Sequence, residues 1–152
     1  MSTRAIKYLR QRKIPFEVVE YGHEEKGAVF ASEAIGFPLE KTVKTLVADL
    51  GNRKYALALM PGDRQLSLKG LAKALSVKKA TMADTAEAER LTGYFVGGIS
   101  PFGTKKRLSA VMEESLLKFD RIAINAGQRG MMLIISPKDI VKAIDCVVSK
   151  IG

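Results

Sequence analysis

Thr92-Gly-Tyr-Phe-Val-Gly-Gly-Ile-Ser-Pro-Phe-Gly-Thr-Lys-Lys-Arg107 is the most informative stretch of this chain. Its glycines allow backbone angles that other residues rarely adopt, and Gly97 and Gly98 permit another group to approach the main chain closely. Pro101 fixes φ on the far side of the turn, and Gly103 lets the chain leave at a sharp angle. We expect a rigid pocket wall of backbone N–H and C=O groups. The alternative is a plain glycine-rich hairpin between two strands.

Strand and helix patterns alternate irregularly around this segment. Strand patterns cover residues 16–21, 42–50, 53–60, 79–82, 107–112, 121–125 and 131–135, and helix patterns cover residues 4–12, 28–35, 67–75, 84–93 and 136–148. Gly51-Asn52 joins the second and third strands as a tight hairpin signal. The irregular order disfavours a repeated parallel βαβ design. We predict a mixed α/β (α+β) fold in one domain, residues 1–152, with a curved, mostly antiparallel or mixed barrel-like sheet surrounded by helices.

The charge balance indicates a polyanionic partner. Lys and Arg number 25 against 16 Asp and Glu, a net charge of +9 at pH 7. Nucleic acid is the commonest cytosolic polyanion, although a basic protein can also lack such a partner. The clusters Lys105-Lys106-Arg107 and Lys78-Lys79 favour a basic face over a disordered arm. We expect no membrane contact and a cytoplasmic location, because the chain has neither a run of ~20 apolar residues nor a signal-peptide core.

Several kinds of catalytic site are disfavoured by residue type. One cysteine, Cys146, excludes an internal disulfide, and one histidine, His23, leaves too few ligands for a usual zinc site. We therefore expect no metal and no cofactor. The motifs of serine hydrolases, P-loop proteins, zinc proteases and dinucleotide-binding folds are also missing. A small-molecule hydrolase that uses Ser100, with His23 as base, stays open as one alternative.

Lys44 is the most suggestive residue outside the glycine segment. On a strand it shares a face with Leu46, Ala48 and Leu50. Such a lysine either extends to the rim or points into a cavity where its charge has a role. Thr45 would face the opposite side and contribute through its backbone. A chain without a nucleophile or metal can still be an enzyme if it orients a reactive substrate and stabilises developing charge with backbone donors.

Four motifs together resemble a known family. Val43-Lys44-Thr45-Leu46, the helix at 68–75, the glycine segment and Gly127-Gln-Arg-Gly130 occur in the order found in the YbaK family of aminoacyl-tRNA deacylases. These proteins are freestanding relatives of the editing domain of bacterial prolyl-tRNA synthetase. The resemblance runs from about residue 5 to the C-terminal helix. It implies a barrel-like mixed α/β fold, a mischarged tRNA as substrate, and prolyl-tRNA synthetase as a candidate partner.

The resemblance also implies a set of site residues. Lys44 matches the lysine most closely tied to activity in the family, and its cation would bind the terminal phosphate or orient the ester. The residues that would contact the substrate are Tyr21, Phe30, Thr45, Gly97, Gly98, Ile99, Ser100, Pro101, Asn125, Gly127 and Gly130. Apart from the resemblance, the charge cluster Lys105, Lys106 and Arg107 is a candidate contact to the tRNA backbone, and a solvated run of charge is the alternative.

The substrate implied by the resemblance is Cys-tRNA(Pro), and the reaction is trans-editing. The substrate's own thiol would attack the ester, whereas relatives that remove alanine use a water positioned by the terminal ribose hydroxyl. Two positions depart from well-known members, with Asn125 in place of a serine and Met132 in place of an acidic residue. They leave open a non-catalytic adaptor of the same fold that binds tRNA or a synthetase. Retention of Lys44 together with the glycine segment favours the enzyme.

Overall fold

Helices and strands alternate without a repeating unit, as the sequence patterns predict. The computed structural model describes residues 2–22 and 28–152, apart from the side chain of Phe30. The helices within these residues are α1 (Arg4–Gln11), α2 (Ala28–Ile35), α3 (Leu68–Ala74), α4 (Thr85–Thr92) and α5 (Pro137–Ala143). The strands are β1 (Glu17–Glu20), β2 (Val43–Gly51), β3 (Lys54–Pro61), β4 (Thr81–Met82), β5 (Ser109–Glu113), β6 (Ile122–Gln128), β7 (Met131–Ile135) and β8 (Cys146–Ser149). None of the described helices is long and apolar enough to cross a bilayer.

One sheet has five strands in the order β4-β2-β3-β5-β8. Strands β2 and β3 form the antiparallel hairpin predicted at Gly51-Asn52, with the turn one residue later: Gly51 pairs with Lys54, and the turn residues Asn52 and Arg53 adopt φ of 52° and 61°. Positive φ at successive turn residues matches the right-handed twist of the flanking strands. The other side of β3 pairs in parallel with β5, which pairs in parallel with β8. The sheet is therefore mixed.

The second sheet is antiparallel, in the order β1-β7-β6. Among the described residues, one parallel bridge between Thr42 and Ala123 links it to the larger sheet. This bridge lies at the start of β2, so the first residues of β2 run beside β6. The predicted mixed α/β class is confirmed. Closure into a barrel is not detected in the described part of the chain, where the strands form two linked sheets.

The main core lies between the smaller sheet and helices α1 and α5. Leu9 of α1, Leu133 of β7 and Ile140 of α5 are each fully buried in it, and Phe102 from the glycine segment is buried with them. The Tyr8 hydroxyl donates a 2.5 Å hydrogen bond to the Ala143 carbonyl and so joins α1 to α5. The glycine segment is therefore anchored by its own aromatic side chain in the centre of the protein.

The end of the chain differs from the sequence expectation. The apolar pattern predicts a helix that continues to residue 148, but α5 ends at Ala143 and residues Cys146–Ser149 form β8. Ile144 has extended backbone angles, φ −132° and ψ 164°. The β-branched pair Val147 and Val148 suits a strand, and the exposed edge of β5 supplies backbone partners for it. The prediction of a long helix is therefore wrong, and Cys146 lies in a strand.

Candidate active site

A cavity of about 400 Å³ opens where the two sheets meet. Its walls come from β2, the segment after β1, α2, the start of α4, the glycine segment, and one residue each of β6 and β7. The residues that line it are Tyr21, Ala28, Ala31, Val43, Lys44, Thr45, Leu46, Val47, Met82, Ala83, Thr85, Ala88, Val96, Gly97, Ile99, Asn125 and Met132. A cavity of this size, with mostly apolar walls and a few polar groups, is typical of sites for small organic ligands.

The cavity brings together six of the residues that the sequence singled out. These are Tyr21, Lys44, Thr45, Gly97, Ile99 and Asn125, and Met132 lines the same wall. The predicted residues Gly98, Ser100, Pro101, Gly127 and Gly130 do not line it. His23 and the side chain of Phe30 lie outside the described residues. The structure thus separates residues on the wall from residues that hold the wall in position.

Lys44 and Thr45 supply the polar groups of the β2 wall. Lys44 is partly buried, and its ammonium group makes no hydrogen bond or ion pair with any described residue. The Thr45 hydroxyl oxygen is buried, and it too has no hydrogen-bond partner among the described residues. A buried hydroxyl without a partner costs roughly 1–3 kcal/mol. The Lys44 ammonium group therefore offers unused hydrogen-bonding capacity at the cavity, whereas the Thr45 hydroxyl is covered by protein atoms.

The glycine segment is held from both sides just before Gly97. The Val96 N–H donates to the Glu89 carboxylate at 2.8 Å, which fastens it to α4. The Val96 carbonyl accepts two hydrogen bonds from the Arg129 guanidinium, from Nε at 3.2 Å and from Nη2 at 3.1 Å. Gly97 itself has φ 95°. The segment is thus a fixed connection from α4 to β5, and the alternative of a hairpin between two strands is wrong.

Asn125 joins this segment to the β6–β7 turn. Its Nδ2 donates to the Gly97 carbonyl at 3.1 Å. Its Oδ1 accepts from the Gly127 N–H at 2.7 Å and from the Gln128 N–H at 3.1 Å. These two N–H donors require the oxygen on that side, so the orientation of the amide is determined by its partners. Asn125 accordingly acts on the cavity wall by orienting the Gly97 peptide.

Two glycines permit the close contact between the segment and the turn. A Cβ on Gly98 would lie 3.0 Å from the Arg129 nitrogen and 3.1 Å from the carbonyl carbon of Gln128. Gly127 has φ 97°, and a Cβ there would lie 2.7 Å from the Tyr94 ring. Backbone therefore packs directly on backbone at Gly98 and on an aromatic ring at Gly127. Neither glycine lines the cavity, but both determine how closely its parts approach.

Ser100 lies behind the cavity wall. It is fully buried, and its hydroxyl accepts a hydrogen bond from the Phe102 N–H at 3.3 Å. The Tyr94 hydroxyl donates to the Phe102 carbonyl at 2.5 Å, and burial raises the pKa of Tyr94 to about 12. Ser100 therefore has a structural partner and no access to a substrate. This geometry does not support the alternative of a hydrolase with a Ser100 nucleophile.

The remaining polar residues add little reactive chemistry. Burial raises the pKa of Tyr21, with the Gly130 backbone acting weakly in the opposite direction, and burial also raises the pKa of Cys146 to about 11. Both side chains are therefore protonated at neutral pH. Among the described residues, no three His, Cys, Asp or Glu side chains are grouped to hold a metal ion.

Lys105, Lys106 and Arg107 lie away from the cavity. The Lys105 N–H donates to the Thr92 carbonyl and the Lys106 N–H to the Leu91 carbonyl, each at 2.9 Å. These bonds fix their backbone against the last turn of α4. Their side chains line two other grooves on the surface.

Sequence reasoning missed two groups of residues. The sequence around Ala83, Thr85 and Ala88 predicts only the start of a helix, because a cap at Asp84 accounts for its pattern. In the structure these three residues line the cavity. Glu89 and Arg129, which hold Val96, lie outside the cavity and have no pattern of their own. Arg129 stands in the motif Gly127-Gln-Arg-Gly130, so the motif contained the signal without showing its partner.

The sequence that forms this cavity matches a known protein family. Residues 24–143 match the model described as the aminoacyl-tRNA editing domain. The chain belongs to the aminoacyl-tRNA editing family. The match includes β2 with Lys44, the glycine segment, Asn125 and the β6–β7 turn, so all the described polar groups of the cavity except Tyr21 fall within the family's domain.

Individual members of the editing family are similar over most of the chain. EbsC of Enterococcus faecalis, provisionally named a Cys-tRNA(Pro)/Cys-tRNA(Cys) deacylase, is 35% identical over 141 residues, which cover 91% of this chain and 85% of EbsC. ProXp-y of Escherichia coli, named a multifunctional Ser/Thr-tRNA deacylase, is also 35% identical over 141 residues, 90% of this chain and 83% of ProXp-y. A crystal structure described provisionally as a trans-editing enzyme for prolyl tRNA synthetase superposes with a TM-score of 0.89 at 25% identity, over 98% of this chain and 94% of that one. The resemblance predicted from the motifs is confirmed.

Proposed function

We propose that this aminoacyl-tRNA deacylase binds the 3′ aminoacyl-adenosine of a mischarged tRNA in the 400 Å³ cavity, with Lys44 as its electrostatic anchor. Membership of the editing family and two relatives named as deacylases support the reaction class. The observation that carries the proposal is the position of Lys44. It is a cation on the cavity wall without a hydrogen bond or ion pair to any described residue.

The surroundings of Lys44 strengthen its effect on an anionic or polarised group. Val43, Val47, Ile99 and Met132 line the same cavity and make much of its wall apolar. An electrostatic interaction is stronger beside low-dielectric walls than in water, and no described carboxylate competes for the ammonium group. Lys44 can therefore hold the phosphate of the terminal nucleotide or orient the ester.

The cavity lining suggests that the attacking group belongs to water or to the substrate. No Ser, Cys or His is among the described residues that line it. In hydrolysis, the water oxygen would bond to the ester carbonyl carbon, the bond from that carbon to the ribose oxygen would break, and the ribose oxygen would take up a proton. Amino acid and free tRNA would leave. The fixed Gly97 peptide contributes by positioning the ester, because orientation alone supplies a large part of such rate enhancements.

We propose cysteine, carried by Cys-tRNA(Pro), as the amino acid removed. Met132 makes part of the wall apolar, and three hydrogen bonds already occupy the Asn125 amide. A serine or threonine hydroxyl would lose water at such a wall and find few partners, which costs about 1–3 kcal/mol. A thiol loses much less because it is a weak hydrogen-bonding group. The substrate thiol would also be an intramolecular nucleophile: its sulfur would bond to the ester carbonyl carbon, the bond from that carbon to the ribose oxygen would break, and the ribose oxygen would take up the thiol proton, so that a cyclic thiolactone leaves. We further propose action in the cytoplasm, with prolyl-tRNA synthetase as a candidate partner in tRNA selection.

The test is release of labelled amino acid from Cys-tRNA(Pro), Ser-tRNA and Ala-tRNA(Pro). We compare the wild type with Lys44→Met, which keeps the length of the side chain and removes its charge. Lys69→Met is the matched control, because Lys69 is exposed on α3 and does not line the cavity. We expect fastest release of cysteine, a loss of about 100-fold or more in Lys44→Met, and no change in Lys69→Met. Equal activity of Lys44→Met and wild type would refute the anchor role.

The adaptor is the second candidate function, supported by the two departures at Asn125 and Met132. It predicts that the wild type releases no amino acid from any of the three substrates while still binding tRNA. That outcome would show that the protein is a non-catalytic adaptor and not an enzyme.

A further inference from the structure

Two open grooves, which share no lining residue with the cavity, carry much of the positive charge. The first groove has a volume of about 820 Å³, and its cations are Arg53, Lys54, Arg90, Lys106 and Arg107. The second groove has a volume of about 960 Å³, and its cations are Arg4, Lys7, Arg12, Lys105, Arg107 and Lys142. Among the described lining residues, Glu87 is the carboxylate of the first groove and Asp145 that of the second.

The two grooves are neighbours that share lining residues, and we call their combined lining the basic surface. Arg107 and Leu108 line both of them. The three consecutive cations before Leu108 divide between the grooves, with Lys106 in the first, Lys105 in the second and Arg107 in both. Their backbone is fixed by the hydrogen bonds to Thr92 and Leu91, so the division is built into the fold.

The charges of the basic surface are largely uncompensated. Arg90 pairs with Glu87, and no other cation of either groove forms an ion pair with a described residue. Arg4 and Arg12 instead lie over the rings of Tyr94 and Tyr8. A guanidinium that stacks on a ring keeps its donors in a fixed plane for a partner that carries oxygens. The surface is thus prepared for an anion with many charges.

From this arrangement we infer that the basic surface binds the sugar-phosphate backbone of the tRNA whose aminoacyl end occupies the cavity, so the inference rests on the proposed function. Helix α4 connects the two sites, since Ala88 lines the cavity while Arg90 and Leu91 line the first groove. One helix is about 10–12 Å thick. The phosphates of one duplex strand recur about every 3.4 Å of helix axis, so a strand of a few nucleotides is long enough to cross the thickness of α4. Several arginines, spread along two grooves rather than gathered in one pocket, fit a phosphate chain better than a single small anion.

The test measures binding of uncharged tRNA by fluorescence anisotropy at several salt concentrations. One variant, Lys54→Gln/Lys106→Gln, neutralises the first groove, and another, Lys7→Gln/Lys142→Gln, neutralises the second. The control, Lys69→Gln/Lys73→Gln, removes the same charge from exposed positions of α3 that line neither groove. All six lysines are exposed, so the core is unchanged.

Each groove variant should bind tRNA about tenfold or more weakly at 0.1 M salt. The slope of log K against log salt should become shallower by about 1.4–1.8, because two phosphate contacts are lost. The control should match the wild type. If both groove variants keep the wild-type slope of log K against log salt, the inference is wrong, and the positive charge serves to bind a protein partner or to keep the protein soluble.

Deacylation kinetics separate this inference from the proposed function. The groove variants should raise KM and leave kcat unchanged, whereas Lys44→Met should lower kcat. If the wild type releases no amino acid but the groove variants still flatten the salt slope, the proposed function fails and the basic surface stands. If the wild type deacylates its substrate and the salt slopes of the groove variants equal that of the wild type, the proposed function is supported and the inference about the basic surface is wrong.

Discussion

Replacing Asn125 by alanine tests the connection that shapes the cavity wall. The substitution removes three hydrogen bonds, one to the Gly97 carbonyl and two from the N–H groups of Gly127 and Gln128. A typical net contribution is about 1 kcal/mol for each bond. Gln128 is exposed, so water replaces much of its bond. We therefore expect a loss of about 2 kcal/mol in the free energy of unfolding.

This loss converts into a measurable change in Tm. Unfolding entropy of about 2.1 cal/mol/K per residue gives a chain of 152 residues about 0.3 kcal/mol per degree, so Tm should fall by about 6 °C. The assay is thermal unfolding followed by circular dichroism, with urea unfolding as the check on free energy. Gln128→Ala is the matched control, because that exposed side chain has no hydrogen bond among the described residues.

The same variant should also affect catalysis, since the Gly97 peptide loses its orienting partner. Asn125→Asp keeps an acceptor for Gly127 and Gln128 but turns an oxygen toward the Gly97 carbonyl. We expect both Asn125 variants to lower kcat by about tenfold or more, with the smaller Tm change in Asn125→Asp. A Tm for Asn125→Ala within 1 °C of both the wild type and Gln128→Ala would refute the view that Asn125 holds the wall together.

Two further predictions concern the parts that support the site. Glu113 is fully buried; burial alone raises its pKa, but hydrogen bonds from Ser115, Ile151 and Gly152 outweigh burial and lower it. Because its pKa is lower in the folded state, the Glu113 carboxylate stabilises the protein above about pH 4.5, and this stabilisation is lost as the pH falls through the lower folded-state pKa. In urea unfolding, Glu113→Gln should therefore reduce the free energy of unfolding by about 2 kcal/mol at pH 7 and by less below pH 4. A difference that does not depend on pH would contradict this reasoning. Gly98→Ala should cost about 1–3 kcal/mol and reduce deacylation, because the new Cβ meets backbone at 3.0 Å. Gly22→Ala, whose Cβ meets nothing within 4 Å, should leave Tm unchanged, and equal Tm values for the two variants would show that the contact yields without strain.

The local elements of the fold were predictable because their signals lie within a few residues. Gly51-Asn52 marks the β2–β3 hairpin because both residues accept positive φ, although the turn itself is Asn52-Arg53. Ser67 and Asp84 cap α3 and α4 with hydrogen bonds to N–H groups three residues ahead, and Gly93 ends α4 with φ 79°. Each of these outcomes depends on backbone angles and side-chain reach within one turn of chain. Strand β8 was missed because its apolar spacing also fits a helix, and pairing with distant β5 decides between them.

The sequence by itself determined the composition of the site and its chemical class. It identified a lysine on a strand, a glycine segment able to approach other backbone, and the motifs of the editing family. Only the tertiary structure decided which residues line the cavity and which support it. Asn125 meets Gly97 across 28 positions of sequence, and Ser100 turns away from the cavity into the core. Such contacts depend on how separate elements pack, and side-chain patterns along one segment carry no information about the distant surface that the segment will meet.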